Sequence, residues 1–422
     1  INHKDYKYMK KKVYDKNHKC RICGKENFSQ IIDLGEQTIT SSFPWPEESD
    51  PPRSPLVLVK CCNCGLVQLE DTVKSEILYT HDYGYRSGIN DTMSQHLKGI
   101  TSKLEDIVNF KEGDVVLDIG CNDGTLLKSY QISGLNKYGI DPIVEHFLDF
   151  YPDDIEVYEG FFNKENYEKA TSGTKAKAIT SIAMFYDLPD PGQFVIDIGD
   201  CLAENGVWVL EQSYMPTMLE MNSFDTVCHE HLEYYDLKSI MNMANDASLK
   251  VFDVELNESN GGSFRIFVCH KSSPYIVNKK SINKLLDREN ILESNGMIEF
   301  EQFKQRVNSM RENLVNFIKN EVNKGKKIYI YGASTKGNTL LQYYGLDSNL
   351  ITAAADRNPE KWGRVTPNTR IPIISEEEAR RSMPDYFLVL PWHFKDNFIE
   401  RESDFLEAGG HFIFPLPEFV IV

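Results

Sequence analysis

Two cysteine pairs and one histidine-rich run hold the residues best suited to chemistry. "CRIC" at 20–23 and "CCNCG" at 61–65 each offer two thiols at C-x-x-C spacing. That spacing lets one tight loop aim both sulfurs at a single ion, and two such knuckles supply a tetrahedral zinc. The expected ligands are Cys20, Cys23, Cys61 and Cys64, with Cys62 as the alternative to Cys61. A redox C-x-x-C needs a thioredoxin-like strand and helix around it, which the flanking residues do not provide. Four thiolates leave no open coordination position, so this metal is expected to hold shape without doing chemistry.

The histidine run is "DTVCHEHLEYYD" at 225–236, in which His229 and His231 flank Glu230. A zinc-protease motif sets its histidines one helical turn apart; histidines two apart point differently on a helix, and no third ligand is evident. Packing against neighbouring aromatics is the bland alternative. Proton transfer is the better expectation, because imidazole titrates near neutrality and Glu230 is placed to orient the ring or stabilise its charged form. Upstream, "YTHDYGYRSG" contributes Tyr79, Tyr83, Tyr85 and Ser87, hydroxyls able to hydrogen-bond a developing oxyanion.

These groups need a scaffold, and the surrounding sequence reads as α/β. "DVVLDIGCNDGTLLKSY" at 114–130 is a buried strand, a glycine turn and a helix starting near Thr125. In the turn, Asp118, Gly120 and Gly124 are spaced D-x-G-x-x-x-G, and Asn122 occupies the place of the middle glycine of a dinucleotide fingerprint. Asp118 repels a phosphate but suits the ammonium of S-adenosylmethionine. "KYGIDP" then ends a second strand at Asp141 and Pro142, where a carboxylate can take two ribose hydroxyls. "AKAITSIAMFYDLPDPGQFV" and "GVWVLEQSYM" read as the fourth and fifth strands, and "LKVFDVELNESNGGSFRIFVCH" as a closing hairpin. Five parallel strands ending in a hairpin look like a class I methyltransferase core, and the His-Glu-His run falls beyond a carboxyl edge of that sheet, where open α/β folds bind ligands.

Farther along, "KKIYIYGASTKGNTLLQYYGL" is another strand, turn and helix. Its backbone N–H groups from Ser334 through Thr335 to Gly337, with Lys336, suit a pyrophosphate; a domain that merely packs is the alternative. Asp356 ends the next strand, and Pro391, Trp392 and His393 stand at a strand end where they can line a ligand cleft. Between the two α/β regions, Phe303, Val307, Met310, Leu314, Phe317 and Val322 form a helical stripe expected to pack between domains. The division expected is a zinc-binding module at 1–78, a methyltransferase domain at 79–280, a helical connector at 281–324 and a Rossmann-like domain at 325–422.

Composition narrows the field. A 422-residue chain with 41% hydrophobic residues, 26% charged residues and no apolar run beyond strand length is globular and multidomain, without a membrane span. Its formal charge of −17 opposes binding to nucleic acid, although a local basic pocket can take one anionic small molecule. Five of nine cysteines lie within residues 20–64, which argues for a metal rather than a disulfide scaffold. The basic start lacks an apolar core, so a solvated arm and a cytoplasmic location are expected, with a monomer or small homo-oligomer.

The paired knuckles, "DYGYRSG", "FDTVCHEHLEYY", "NGGSFRIFV" and "GASTKG" occur together and in this order. In that combination the chain resembles, over nearly its whole length, the zinc-containing nucleotide-sugar 3-C-methyltransferases. The resemblance implies S-adenosylmethionine as methyl donor, a structural zinc, and a nucleoside-diphosphate-linked 4-keto-6-deoxy sugar methylated at carbon 3. It also implies a base at the last histidine of His-Glu-His, which here is His231, beside Glu230. The chain departs from the pattern twice, with Cys228 where tyrosine is common and Asp187 where histidine is expected. Both leave open a different sugar or carbon, or a hydroxyl acceptor methylated on oxygen. An oxidoreductase using the last domain is the more distant alternative.

Overall fold

The computed structural model describes residues 13–79 and 85–422, so Tyr83 lies outside the described residues. The first module is built from short antiparallel strands: β1 (Tyr14–Lys16), β2 (Phe28–Thr38), β3 (Arg53–Cys61), β4 (Val67–Leu69) and β5 (Asp71–Val73). β3 pairs with both β2 and β4, and the second cysteine knuckle forms the turn between β3 and β4.

The central sheet contains β6 (Val115–Ile119), β7 (Asn136–Asp141), β8 (Ile155–Glu159), β9 (Ala176–Ile182) and β10 (Leu202–Ser213). After β10 the chain lays down a two-residue strand, β11 (Glu233–Tyr234), before returning as β12 (Leu249–Asn257) and β13 (Ser263–His270). Strand order is β12-β13-β10-β9-β6-β7-β8, with β6 to β10 parallel and β13 antiparallel to both its neighbours. This is the class I methyltransferase order. β6 is buried along its whole length, as a strand covered on both faces must be. Strand order reverses between β6 and β9, so connections leave in opposite directions and open a crevice at their carboxyl ends.

A third sheet repeats the arrangement with β14 (Ile328–Tyr331), β15 (Ala353–Asp356), β16 (Ile373–Ser375), β17 (Tyr386–Val389), β18 (His411–Phe414) and β19 (Val420–Ile421). Its order is β16-β15-β14-β17-β18-β19, with only β19 antiparallel. The connector is two helices, Lys279–Ser294 and Ile298–Asn323. Steps of three and four carry the buried stripe of the second helix through Phe303, Val307, Met310 and Leu314 to Ile318. Phe317 and Val322 fall at its margin.

The layers share cores. One apolar cluster joins Ile32, Leu58 and Leu69 of the module to the connector stripe and to the β14–β17 sheet. A second joins Cys20, Cys61 and Leu66 to Leu117 and Trp208 of the central sheet and to Tyr235. β11 departs most from a linear division of the chain: it pairs with β4, Glu233 opposite Gln68 and Tyr234 opposite Val67, completing a four-stranded sheet β11-β4-β3-β2. Among the described residues no helix is long and apolar enough to cross a membrane.

Candidate active site

The carboxyl edges of the two large sheets face each other across a cavity of about 1000 Å³. Asp118, Gly120, Asn122, Asp141 and Pro142 line one side, His231 and Glu230 the middle, and Ser334, Thr335, Lys336 and His393 the other.

On the first side, Asp118 ends β6 and accepts a hydrogen bond from the Thr180 hydroxyl at 2.6 Å. Burial, with Asp141 nearby, pushes the Asp118 carboxyl up to about 7. The Asp141 oxygens accept from the backbone N–H groups of Asn122 at 3.0 Å and Ile143 at 2.8 Å, which aims the carboxylate across the turn. Gly120 takes φ +71°, a conformation that strains any other residue, and a Cβ there would crowd Met184, itself in the cavity wall, at 3.2 Å. Gly124 does not line the cavity; it caps the helix Thr125–Lys128 in the left-handed conformation and packs under Tyr151. Asn122 fastens the segment entering from the N-terminal side, accepting from Ser87 N–H at 3.0 Å and donating to the Tyr85 carbonyl at 3.2 Å. Tyr85 and Ser87 thereby reach the cavity wall. A buried acid at one strand end, a second at the next, and a glycine between them fit the ammonium and ribose of S-adenosylmethionine.

His231 follows a 3-10 turn at Phe224–Thr226. Its Nδ1 lies 2.8 Å from the Thr226 carbonyl oxygen. A carbonyl only accepts, so Nδ1 carries the proton and the neutral ring presents a bare Nε2. Burial, then the positive charge of Lys336, push His231 down to about 3, which keeps the imidazole unprotonated in the resting site. The Tyr186 ring packs on it, with centroids 4.0 Å apart. Glu230 does not orient this imidazole, contrary to the sequence expectation, because the Thr226 carbonyl already holds Nδ1. Both Glu230 oxygens are buried and, among the described residues, have no hydrogen-bond partner.

His229 is corrected more fully. Its ring is 1% exposed, lies outside the cavity wall and donates from Nε2 to the Ser54 carbonyl on β3 at 3.1 Å. A turn at His229 and Glu230, closed by the His231 N–H donating to the Cys228 carbonyl at 3.2 Å, sends one histidine to the cavity and the other into the module. Asp187 lines the cavity and accepts from the Tyr79 hydroxyl at 2.9 Å; burial and the nearby Glu230 and Glu233 push its carboxyl well up.

On the far side, Ser334 caps the helix Thr335–Tyr344, accepting from Gly337 N–H at 3.0 Å. Gly337 packs against Leu390 and does not reach the cavity. Lys336 does: its Nζ lies 3.4 Å from the Asn260 carbonyl, and burial pushes its ammonium down while Asp225 opposes that shift. Trp392 is the other correction. Only 4% exposed and absent from the wall, it donates from Nε1 to Asp225 at 2.9 Å and covers Gly261, bracing the C-terminal sheet against the loop that carries His231. Its neighbours Pro391 and His393 line the cavity.

Glu211 and Gln212 are among the lining residues that escaped the sequence reading. Glu211 is held by His96 and by Arg265, the latter at 2.7 Å. Gln212 is 2% exposed with neither amide atom partnered among the described residues. The only hint was a polar pair closing the otherwise apolar "VWVLEQ".

In the module, the sulfurs of Cys20, Cys23, Cys61 and Cys64 all lie within 4.8 Å of one another. Cys20 and Cys64 are 3.5 Å apart, and Cys23 and Cys61 3.6 Å. Zinc–sulfur bonds of about 2.3 Å give a tetrahedron with edges near 3.8 Å, so the thiols fit that ion. Cys62 is exposed and lies beside the Ser29 hydroxyl, away from the cluster.

Strand order, strand-end acids and crevice together define a methyltransferase dependent on S-adenosylmethionine. Domain models agree: a zinc binding domain matches residues 20–79, a methyltransferase domain 92–254 and a C-methyltransferase C-terminal domain 258–417. The three parts follow one another in that order along the chain. The chain is 29% identical over 402 residues to C-methyltransferase NovU of Streptomyces niveus, spanning 94% of this chain and 95% of that one. Among solved structures, magnesium protoporphyrin IX methyltransferase (ChlM) of Synechocystis is 13% identical, covering 43% of this chain and 88% of its own at a TM-score of 0.33. Mitomycin 7-O-methyltransferase MmcR is likewise 13% identical, with 42% and 54% covered and a TM-score of 0.34.

Proposed function

We propose that the protein transfers a methyl group from S-adenosylmethionine to carbon 3 of a nucleoside-diphosphate-linked 4-keto-6-deoxy sugar, with His231 as the base. The observation that carries this reading is the bare Nε2 of His231, fixed by the Thr226 carbonyl in a cavity shared by both sheets. Asp118, Asp141 and the turn between them would hold the donor, which supplies an electrophilic methyl. Ser334, Thr335, Lys336 and His393 would hold the nucleotide-linked sugar, and Cys20, Cys23, Cys61 and Cys64 a structural zinc.

Nε2 would take the proton from the carbon beside the ketone, leaving an enolate as nucleophile for the methyl group that the donor would supply. An imidazolium formed beside an enolate gains an anionic partner, so a base held low at rest strengthens as charge develops. Lys336, close enough to influence His231 electrostatically, is placed to favour the same negative charge. Glu230, in the cavity wall beside Cys228, is available for a substrate hydroxyl or amine.

The test is a panel of dTDP-, GDP- and CDP-linked keto sugars with radiolabelled donor, followed by carbon NMR of the product. A new methyl on carbon 3 is expected; one on oxygen would replace this reading with O-methylation.

A further inference from the structure

Arg21, between the two cysteines of the first knuckle, reaches into the loop that carries His231. Its side chain is 2% exposed. Nη1 donates to the carbonyls of Leu69 at 2.8 Å and Leu232 at 3.3 Å, and Nη2 to the Thr72 hydroxyl at 2.6 Å. Nε lies 3.3 Å from a carboxylate oxygen of Glu233, a side chain with no exposure at all. The backbone of Arg21 is fixed as well, its N–H donating to the Gln68 side chain at 3.0 Å.

Leu232 and Glu233 are the two residues after His231. The Leu232 carbonyl also accepts from Leu69 N–H at 2.9 Å, and Leu232 N–H donates to the Tyr186 carbonyl at 2.7 Å. The loop is therefore tied to the module on one side of His231 through His229 and Ser54, and on the other through Arg21 and β4. A residue held from both sides has little freedom to move its ring, and the fork of a guanidinium can join several acceptors that an ammonium cannot.

We infer that Arg21 is a positioning residue for His231, coupling the geometry of the four-thiol knuckle to the orientation of the base. The inference rests on His231 being that base, and it gives the module a task beyond stability. The knuckle turn sets where the Arg21 backbone lies. The guanidinium then sets where the Leu232 carbonyl lies, and with it the distance over which Nδ1 meets the Thr226 carbonyl. Arg21 touches neither cavity nor reacting atoms, so it acts only through this chain of contacts.

The experiment compares full-length wild type with Arg21→Lys and Arg21→Gln. Metal content, donor affinity by calorimetry, the tautomer of His231 by ¹⁵N NMR (assigned with His231→Gln) and turnover are read together. Wild type should give a single Nδ1–H tautomer. Both variants should keep their zinc and bind S-adenosylmethionine within about twofold of wild type, while the His231 signal shifts toward mixed tautomers. Turnover should fall roughly tenfold to a hundredfold through kcat, the scale expected for a misplaced catalytic group. An unchanged His231 tautomer in a variant that keeps its zinc overturns the inference. So does joint loss of metal and donor binding in both variants, which would make Arg21 a general stability residue. The NMR reading needs no substrate, so failure of every sugar in the panel would count against the proposed reaction and leave this result standing on its own.

Discussion

At the scale of single residues, the site depends on burial deciding protonation. Asp118 has an ordinary value of 3.8 and is raised to about 7 in the folded chain, chiefly by burial. A raised acid stabilises the donor-free fold fully below its unfolded value, and that contribution is lost as pH rises through about 7. A cation beside Asp118 reverses the balance by favouring the carboxylate. Donor binding should therefore release a proton near neutrality and tighten as pH rises from about 6 to about 8. Calorimetry in buffers of different ionisation enthalpy reads this directly, and Asp118→Asn should weaken binding and flatten its pH dependence. Pro142 and the strand-end acids were legible because buried strands and glycine turns leave local marks. The Thr226 carbonyl was not, since a backbone acceptor five residues before His231 has no residue-type signal, and nothing local distinguished His229 from His231. Which histidine faces the cavity depends on the distant Ser54.

At the scale of elements, short segments are fixed by partners from elsewhere. The turn after β17 sets Trp392 against Asp225, a buried pair linking the C-terminal sheet to the 3-10 turn before His231. Trp392→Phe keeps most of the packing but strands Asp225, and should cost roughly 1–3 kcal/mol in thermal unfolding. It should raise KM for the sugar substrate and leave donor affinity unchanged, as titration calorimetry can check. Gly124 is set by backbone as well as space: at φ +73° a Cβ would also meet the Tyr151 ring at 2.5 Å. Gly124→Ala should destabilise by more than about 1 kcal/mol and weaken donor binding, because the Tyr151 hydroxyl holds the Asn122 carbonyl at 2.7 Å. The parallel strands and closing hairpin were readable from apolar runs and turn residues. β11 was not, because a two-residue strand has no periodicity and exists only through β4.

At the scale of the whole molecule, the sheets are joined by shared cores, and the cavity lies where the two large sheets meet, with module residues such as Thr72 and Tyr79 completing its wall. A net charge of −17 repels polyanions, so any phosphate must be met locally, by groups such as Lys336 and Lys361 on the C-terminal side of the cavity. Removing metal with a chelator should lower the unfolding temperature and depress kcat more than donor affinity, since the first knuckle hydrogen-bonds to the His231 loop through Arg21 and shares only apolar packing with the strands that carry Asp118 and Asp141. Loss of donor binding in parallel with activity would instead mean that the module supports the central sheet as a whole. The order of domains was legible from the knuckles, the glycine turn and the second strand-turn-helix. Their mutual packing was not, because it rests on contacts between residues hundreds of positions apart, such as Thr38 with Gln342.

The central claim is that His231 removes a proton from carbon. Incubating the accepted keto sugar nucleotide with the enzyme in D₂O, without methyl donor, and following its carbon 3 proton by NMR tests that step apart from transfer. The account predicts exchange with the wild type and exchange slowed by about 100-fold or more with His231→Asn, the range of general base catalysis. Exchange that persists at the wild-type rate in the variant would contradict it.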